Sequence, residues 1–157
     1  MKRVYLASGI SDKARKEYQK EVAQKIRDLG YEVYAAAENN AINDKSNDPT
    51  PVDIYDGDIE EIKKSDIFVV CISGGNEDGT LSEIGMVAGW NEALTKLEGT
   101  AEPIEIIAYT TNERLMQPQF WHGIPSGGFN HLVAGMIDKW GKFVGTEDKM
   151  LDILSCK

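Results

Sequence analysis

Residues Asp66–Ser73 read DIFVVCIS, and every position from Ile67 to Ile72 is apolar. A strand with one wet face alternates apolar and polar residues. An unbroken run rich in β-branched side chains instead belongs to a strand covered on both faces, as in a parallel sheet packed between helices. The flanking segments fit that setting. Val52–Lys64 places Ile54, Tyr55, Ile59 and Ile62 at helical spacing, and Thr80–Leu97 is a second helical stretch. Further out, Arg3–Ser8 (RVYLAS), Tyr31–Ala37 (YEVYAAA), Glu105–Thr110 (EIIAYT) and Lys142–Gly145 (KFVG) read as strands. Asp12–Leu29, closed by Gly30 as a left-handed cap, Phe129–Lys139 and Asp148–Leu154 read as helices. Alternation of this kind predicts a doubly wound α/β sheet with helices on both faces.

The 157 residues match one domain of roughly 100–200 residues, so 1–157 is expected to fold as a single unit. With 41% hydrophobic and 27% charged residues the chain is close to the globular average, which excludes disordered and collagen-like classes. Seventeen Lys and Arg against 26 Asp and Glu give a net charge of −9. That field repels phosphate backbones and anionic lipid, so neither a nucleic-acid polymer nor a membrane is expected as partner. Cys71 and Cys156 form no metal spacing and no disulfide framework, and Met1 leads through Lys2 and Arg3 straight into a short strand without an apolar leader. A cytoplasmic location is expected.

In a doubly wound sheet, ligands sit beyond the carboxyl ends of the strands, which directs attention to the loops after Ser8, Ala37, Ser73 and Thr110. Two connectors there, Glu38–Pro51 and Thr111–Gly128, are long enough to be lids. The sequence has no GxGxxG after its first strand, no GxxxxGK[ST] and no GxSxG, and His122 and His131 lack metal spacing. Neither a cofactor nor a metal is expected. The chemistry left is that of carboxylates: Asp58 before the third strand, Asp78 after it, and Glu83 beyond. Thr80 and Glu83 have the spacing of a capping box, and a carboxylate near a helix N-terminus is also favoured in the ionised form that a nucleophile needs. Asp58 reads equally as a solvated helix residue and Asp78 as a turn residue before Gly79. Together the three offer what retaining glycosyl cleavage requires, one carboxylate to attack and a second acid to serve the leaving group.

VYLASG (Val4–Gly9), YDGDIEEIKKSDIFVV (Tyr55–Val70) and above all DGTLSEIGMVAGW (Asp78–Trp90) resemble the nucleoside 2-deoxyribosyltransferases, from Tyr5 to about Gly145 in element order. The resemblance implies a flavodoxin-like fold and ping-pong transfer of 2-deoxyribose between nucleobases through a deoxyribosyl-glutamate. It implies 2′-deoxynucleosides and free nucleobases as partners. Glu83 falls on the nucleophile, Tyr5 on the tyrosine that positions it, Asp58 on the aspartate facing the base, and Asp78 on the aspartate near sugar and base, with Gly79 beside it. An asparagine from a neighbouring subunit, matched here by Asn130 in FNHLVAGM, would reach the sugar, in a homo-oligomer such as a hexamer built from dimers. Ser8 and Gly9 end the first strand, where a backbone without bulk could let the sugar approach.

Departures from the family pattern are His131 in place of the usual NLM, the long 111–128 loop, and a terminus reading SCK where several relatives place a tyrosine. Trp90, Phe120 and Trp121 could stack a base, Trp90 being better suited to packing; His122 could belong to a lid, and His131 suits a structural hydrogen bond. Two other functions compete: an N-glycosidase acting on nucleosides or their 5′-monophosphates on the same scaffold, and a nucleotide-binding module without turnover.

Overall fold

The computed structural model describes residues 1–74, 77–97, 102–116, 119–125 and 128–157. Its strands are β1 (Arg3–Ala7), β2 (Glu32–Ala35), β3 (Ile67–Cys71), β4 (Glu105–Tyr109), β5 (Phe120–Trp121), β6 (Ile124–Pro125) and β7 (Gly141–Gly145). Five of them pair in parallel in the order β2-β1-β3-β4-β7, and β5 and β6 form a separate antiparallel hairpin. The helices are α1 (Lys13–Asp28), α2 (Asn40–Asn43), α3 (Pro51–Lys63), α4 (Asp78–Lys96), α5 (His131–Trp140) and α6 (Glu147–Ser155).

The continuous apolar strands have a direct packing consequence. Successive side chains point to opposite faces, so Leu6, Val69, Cys71 and Ile107 meet Val22, Ala23 and Ile26 of α1 and Met150 and Leu154 of α6. Tyr5, Phe68, Val70 and Ile106 meet Ile62 of α3, Ile84 and Val87 of α4, and Val133 and Ile137 of α5. The doubly wound α/β fold expected from the sequence is present, with its switch point between β1 and β3. Gly30 ends α1 at φ +92 as expected, donating its N–H to Arg27 O at 2.8 Å.

Three local readings change. Thr80 does not open α4: the helix starts two residues earlier, at Asp78, so Thr80 lies buried inside its first turn and the Thr80–Glu83 capping box does not form. A capping box exists instead at Thr50 and Asp53, at the head of α3. The connectors are also more structured than loops, because their polar side chains supply local hydrogen bonds: Asp44 accepts from Ser46 N at 2.9 Å and Asn47 Nδ2 donates to Ala41 O at 3.3 Å around α2, while 111–128 contains the β5–β6 hairpin.

Candidate active site

Tyr5 lies in mid-sheet on β1 with no exposed surface, its ring 5.0 Å from Tyr34 of β2 and 5.4 Å from Phe68 of β3. Its hydroxyl donates to Glu83 Oε1 of α4 at 2.5 Å. Tyr34 donates to Asp58 Oδ1 of α3 at 3.4 Å and accepts from Asn39 Nδ2 at 3.1 Å. Two strands thus carry two phenols, and each phenol holds one carboxylate from a helix above the same sheet face.

Burial sets the electrostatics. It pushes Glu83 up to about 7 from its ordinary 4.5, with the negative charge of Asp58 adding to the rise and the Tyr5 hydrogen bond opposing it. Asp58 is also raised by burial, held back by the hydroxyls of Tyr5 and Tyr34. The phenols respond in kind: Tyr34 is pushed up to about 12 and Tyr5 further, burial being the first cause for both. The tyrosines therefore stay protonated donors, while the two carboxylates share a reluctance to be ionised together.

Glu83 and Asp58 border a cavity of about 300 Å³ at the carboxyl end of the sheet, walled by Ser8–Ser11 after β1, Ala36 after β2, and Gly79 and Thr80 of α4. Of the residues expected at a site, Glu83, Asp58, Ser8, Gly9 and Gly79 are brought together around it, and Tyr5 reaches it through its bond to Glu83. Asp78 is exposed and outside the lining. Asn130 is also exposed and outside; its side chain caps α5, accepting from Leu132 N at 2.8 Å. Phe120 and Trp121 project from the hairpin at 63% and 57% exposure, Trp121 stacked on His131 at 4.8 Å and edge-on to His122 at 5.2 Å, all away from this cavity. Trp90 packs against the α3–α4–α5 side of the core.

Sequence reasoning missed Glu77. It is 4% exposed, its two oxygens accept from Ser73 N at 2.8 Å and Gly74 N at 3.1 Å, and it lines the cavity where Asp78 does not. The available signal was the Ser73–Gly74 turn straight after a buried strand, whose free amides call for an acceptor close in sequence. Glu77, Ser8 and Gly9 also border a second cavity of about 420 Å³ on the α1 side, with Arg15, Tyr18, Cys71, Ser73 and Thr111. Among the described residues, no cluster of His, Cys, Asp and Glu suits a metal ion, and no helix is long and apolar enough to cross a membrane.

The chain is a doubly wound α/β protein with a phenol-held carboxylate pair at its switch point, and sequence comparison makes the class particular. The profile of the Nucleoside 2-deoxyribosyltransferase family matches residues 4–148, and the chain belongs to that family. Among solved structures, a conserved protein from Enterococcus faecalis V583 is similar over 99% of this chain and 98% of its own, with 24% identity and a TM-score of 0.77. A CMP N-glycosidase from Clostridium botulinum (19% identity, TM-score 0.61, 99% and 98% covered) shares the fold. So does a 2-deoxyribosyltransferase from Bacillus psychrosaccharolyticus (18% identity, TM-score 0.61, 96% and 90% covered). A search of curated protein sequences found no match.

Proposed function

We propose that the protein transfers 2-deoxyribose from a 2′-deoxynucleoside to a free nucleobase, with retention, through a deoxyribosyl-Glu83 intermediate. The observation that carries this reading is the 2.5 Å bond from Tyr5 to Glu83 Oε1, which fixes the carboxylate and leaves Oε2 free for attack. Oε2 bonds to C1′ as the C1′–N bond breaks. The bond's electron pair stays on the base nitrogen, which takes the Asp58 proton. An incoming base then attacks C1′, returns its proton to Asp58 and releases Glu83; two inversions give retention. Gly9 and Gly79 give the sugar room to approach, and Glu77 takes the sugar-facing place that the sequence suggested for Asp78. Nucleotide salvage is the cellular use this chemistry suits.

A hydrolytic reading on nucleoside 5′-monophosphates draws on the adjoining cavity, where Arg15 and the hydroxyls of Ser73 and Thr111 could meet a phosphate. The Glu77 carboxylate in the same wall and the net charge of −9 disfavour it. Incubation with deoxyinosine and free adenine separates the two. Deoxyadenosine beside hypoxanthine supports transfer. Free deoxyribose as the sole sugar product with adenine in excess, or turnover only of monophosphates, gives the hydrolase. Equal rates for inosine and deoxyinosine remove the deoxy preference.

A further inference from the structure

Gln19 of α1 is 1% exposed, and its carboxamide joins the ends of two strands. Oε1 accepts from Ala37 N at 2.8 Å, just beyond β2, while Nε2 donates to Leu6 O at 3.3 Å and to Ser8 Oγ at 2.8 Å at the end of β1. The orientation of this amide is fixed without reference to its own atoms. A backbone N–H can only donate and a backbone carbonyl can only accept, so the oxygen must face Ala37 and the NH₂ group must face Leu6. The same NH₂ then donates to Ser8, which must accept, and the Ser8 proton points elsewhere. Ser8 borders both cavities, and among the described residues its hydroxyl has no other hydrogen-bond partner.

We infer that Gln19 is a positioning residue that turns the Ser8 hydroxyl into a donor toward the cleft, so that the ligand atom meeting Ser8 is a hydroxyl oxygen of the sugar. The sugar assignment rests on the function proposed above: Tyr5, on the strand that Ser8 follows, holds the carboxylate whose other oxygen meets C1′, whereas Asp58 serves the base. Because the amide also holds Ala37, it fixes the wall formed by Ala36 against the wall formed by Ser8 and Gly9.

The test is calorimetric binding of deoxyadenosine to the full chain. Ser8→Ala should weaken Kd by about three- to tenfold, the range for one net hydrogen bond. Gln19→Glu keeps an acceptor for Ala37 and gives Ser8 an acceptor of its own, which draws its proton out of the cleft. Its loss should equal that of Ser8→Ala, and the double variant should be no weaker than either single one. Gln19→Met, which releases Ser8 without turning it, should lose less than Gln19→Glu. Losses that multiply in the double variant, or wild-type affinity in Ser8→Ala, overturn the inference. A second measurement needs no Gln19 variant: of 2′,3′-dideoxyadenosine and 2′,5′-dideoxyadenosine, the one lacking the oxygen that meets Ser8 should bind wild type and Ser8→Ala alike. If both retain the full Ser8 dependence, the acceptor is not a sugar hydroxyl and the inference falls. Wild-type protein without nucleoside affinity removes the proposed function and this assignment together, whereas wild-type affinity with indifferent variants removes the Gln19 role alone.

Discussion

Glu83 holds its proton to about 7 rather than 4.5, chiefly because burial withholds water and secondarily because Asp58 is near. Only the form with Glu83 ionised and Asp58 still protonated reacts, so kcat/KM for base exchange should climb with pH along an acid limb set by Glu83 and fall again as Asp58 loses its proton. Asp58→Asn removes a charge that raises Glu83. The limb should therefore shift to lower pH while the rate drops roughly 10²–10⁴-fold, the usual loss for a general acid. A pH-rate profile checks this, and an unmoved limb would separate the two carboxylates. Stability follows the opposite sign. The folded chain binds the Glu83 proton more tightly than the unfolded chain, so the favourable contribution of this group is complete below 4.5 and lost as pH rises through about 7. Glu83→Gln should abolish nearly all turnover yet gain stability over wild type from pH 5 to pH 8, on the order of 1–2 kcal/mol for a partly screened carboxylate. Urea unfolding at both pH values measures it; a constant difference between the two chains would contradict the raised proton affinity.

Among the elements, the sheet was legible because burial on both faces leaves strands such as Ile67–Cys71 almost no polar choice, and that constraint shows in sequence without long-range information. The Tyr5–Glu83 pairing spans 78 positions and became readable through the resemblance of motifs on β1 and α4. Helix starts were less legible. Asp78 and Glu77 are adjacent acids, and which of them turns inward depends on α4 beginning at Asp78, a boundary fixed by tertiary packing and by the amides of Ser73 and Gly74. The junction of α5 with β7 was likewise hidden. Trp140 ends the helix and Gly141 begins the strand, with extended backbone so close to β4 that a Cβ would lie 1.7 Å from Ile106 O. No side-chain rotation relieves a contact with backbone. Gly141→Ala should therefore disrupt the β4–β7 ladder and cost about 3 kcal/mol or more, at or beyond the upper end of overpacking penalties. A denaturant melt of the variant reads this directly, and a loss under about 0.5 kcal/mol would mean that the ladder moves aside freely.

At the scale of the whole molecule, Asn130 stands apart from the cleft of its own chain. It is exposed at the head of α5, beside Leu132 at 72% exposure, with Oδ1 engaged by Leu132 N and Nδ2 left to donate. Trp121, stacked on the adjacent His131, and Phe120 next to it in the hairpin leave open apolar surface. Burying such surface in a closed symmetric oligomer is the common solution for soluble proteins, and we propose that it brings Asn130 to the site of another copy. Complementation tests the shared site. Asn130→Asp keeps the helix cap but exchanges the amide donor for an acceptor, so it should fold like wild type and lose sugar binding. Glu83→Ala keeps Asn130 and loses the nucleophile. Each chain alone should be inactive. Unfolded and refolded together, they should form mixed oligomers in which some sites combine Glu83 from one parent with Asn130 from the other, and base exchange should return. With random mixing at equal amounts, about one site in four is intact if each site draws on two chains, so recovery should approach a quarter of wild-type activity. Mixed oligomers on native gels with no activity above the parents would assign Asn130 to its own chain or to no site.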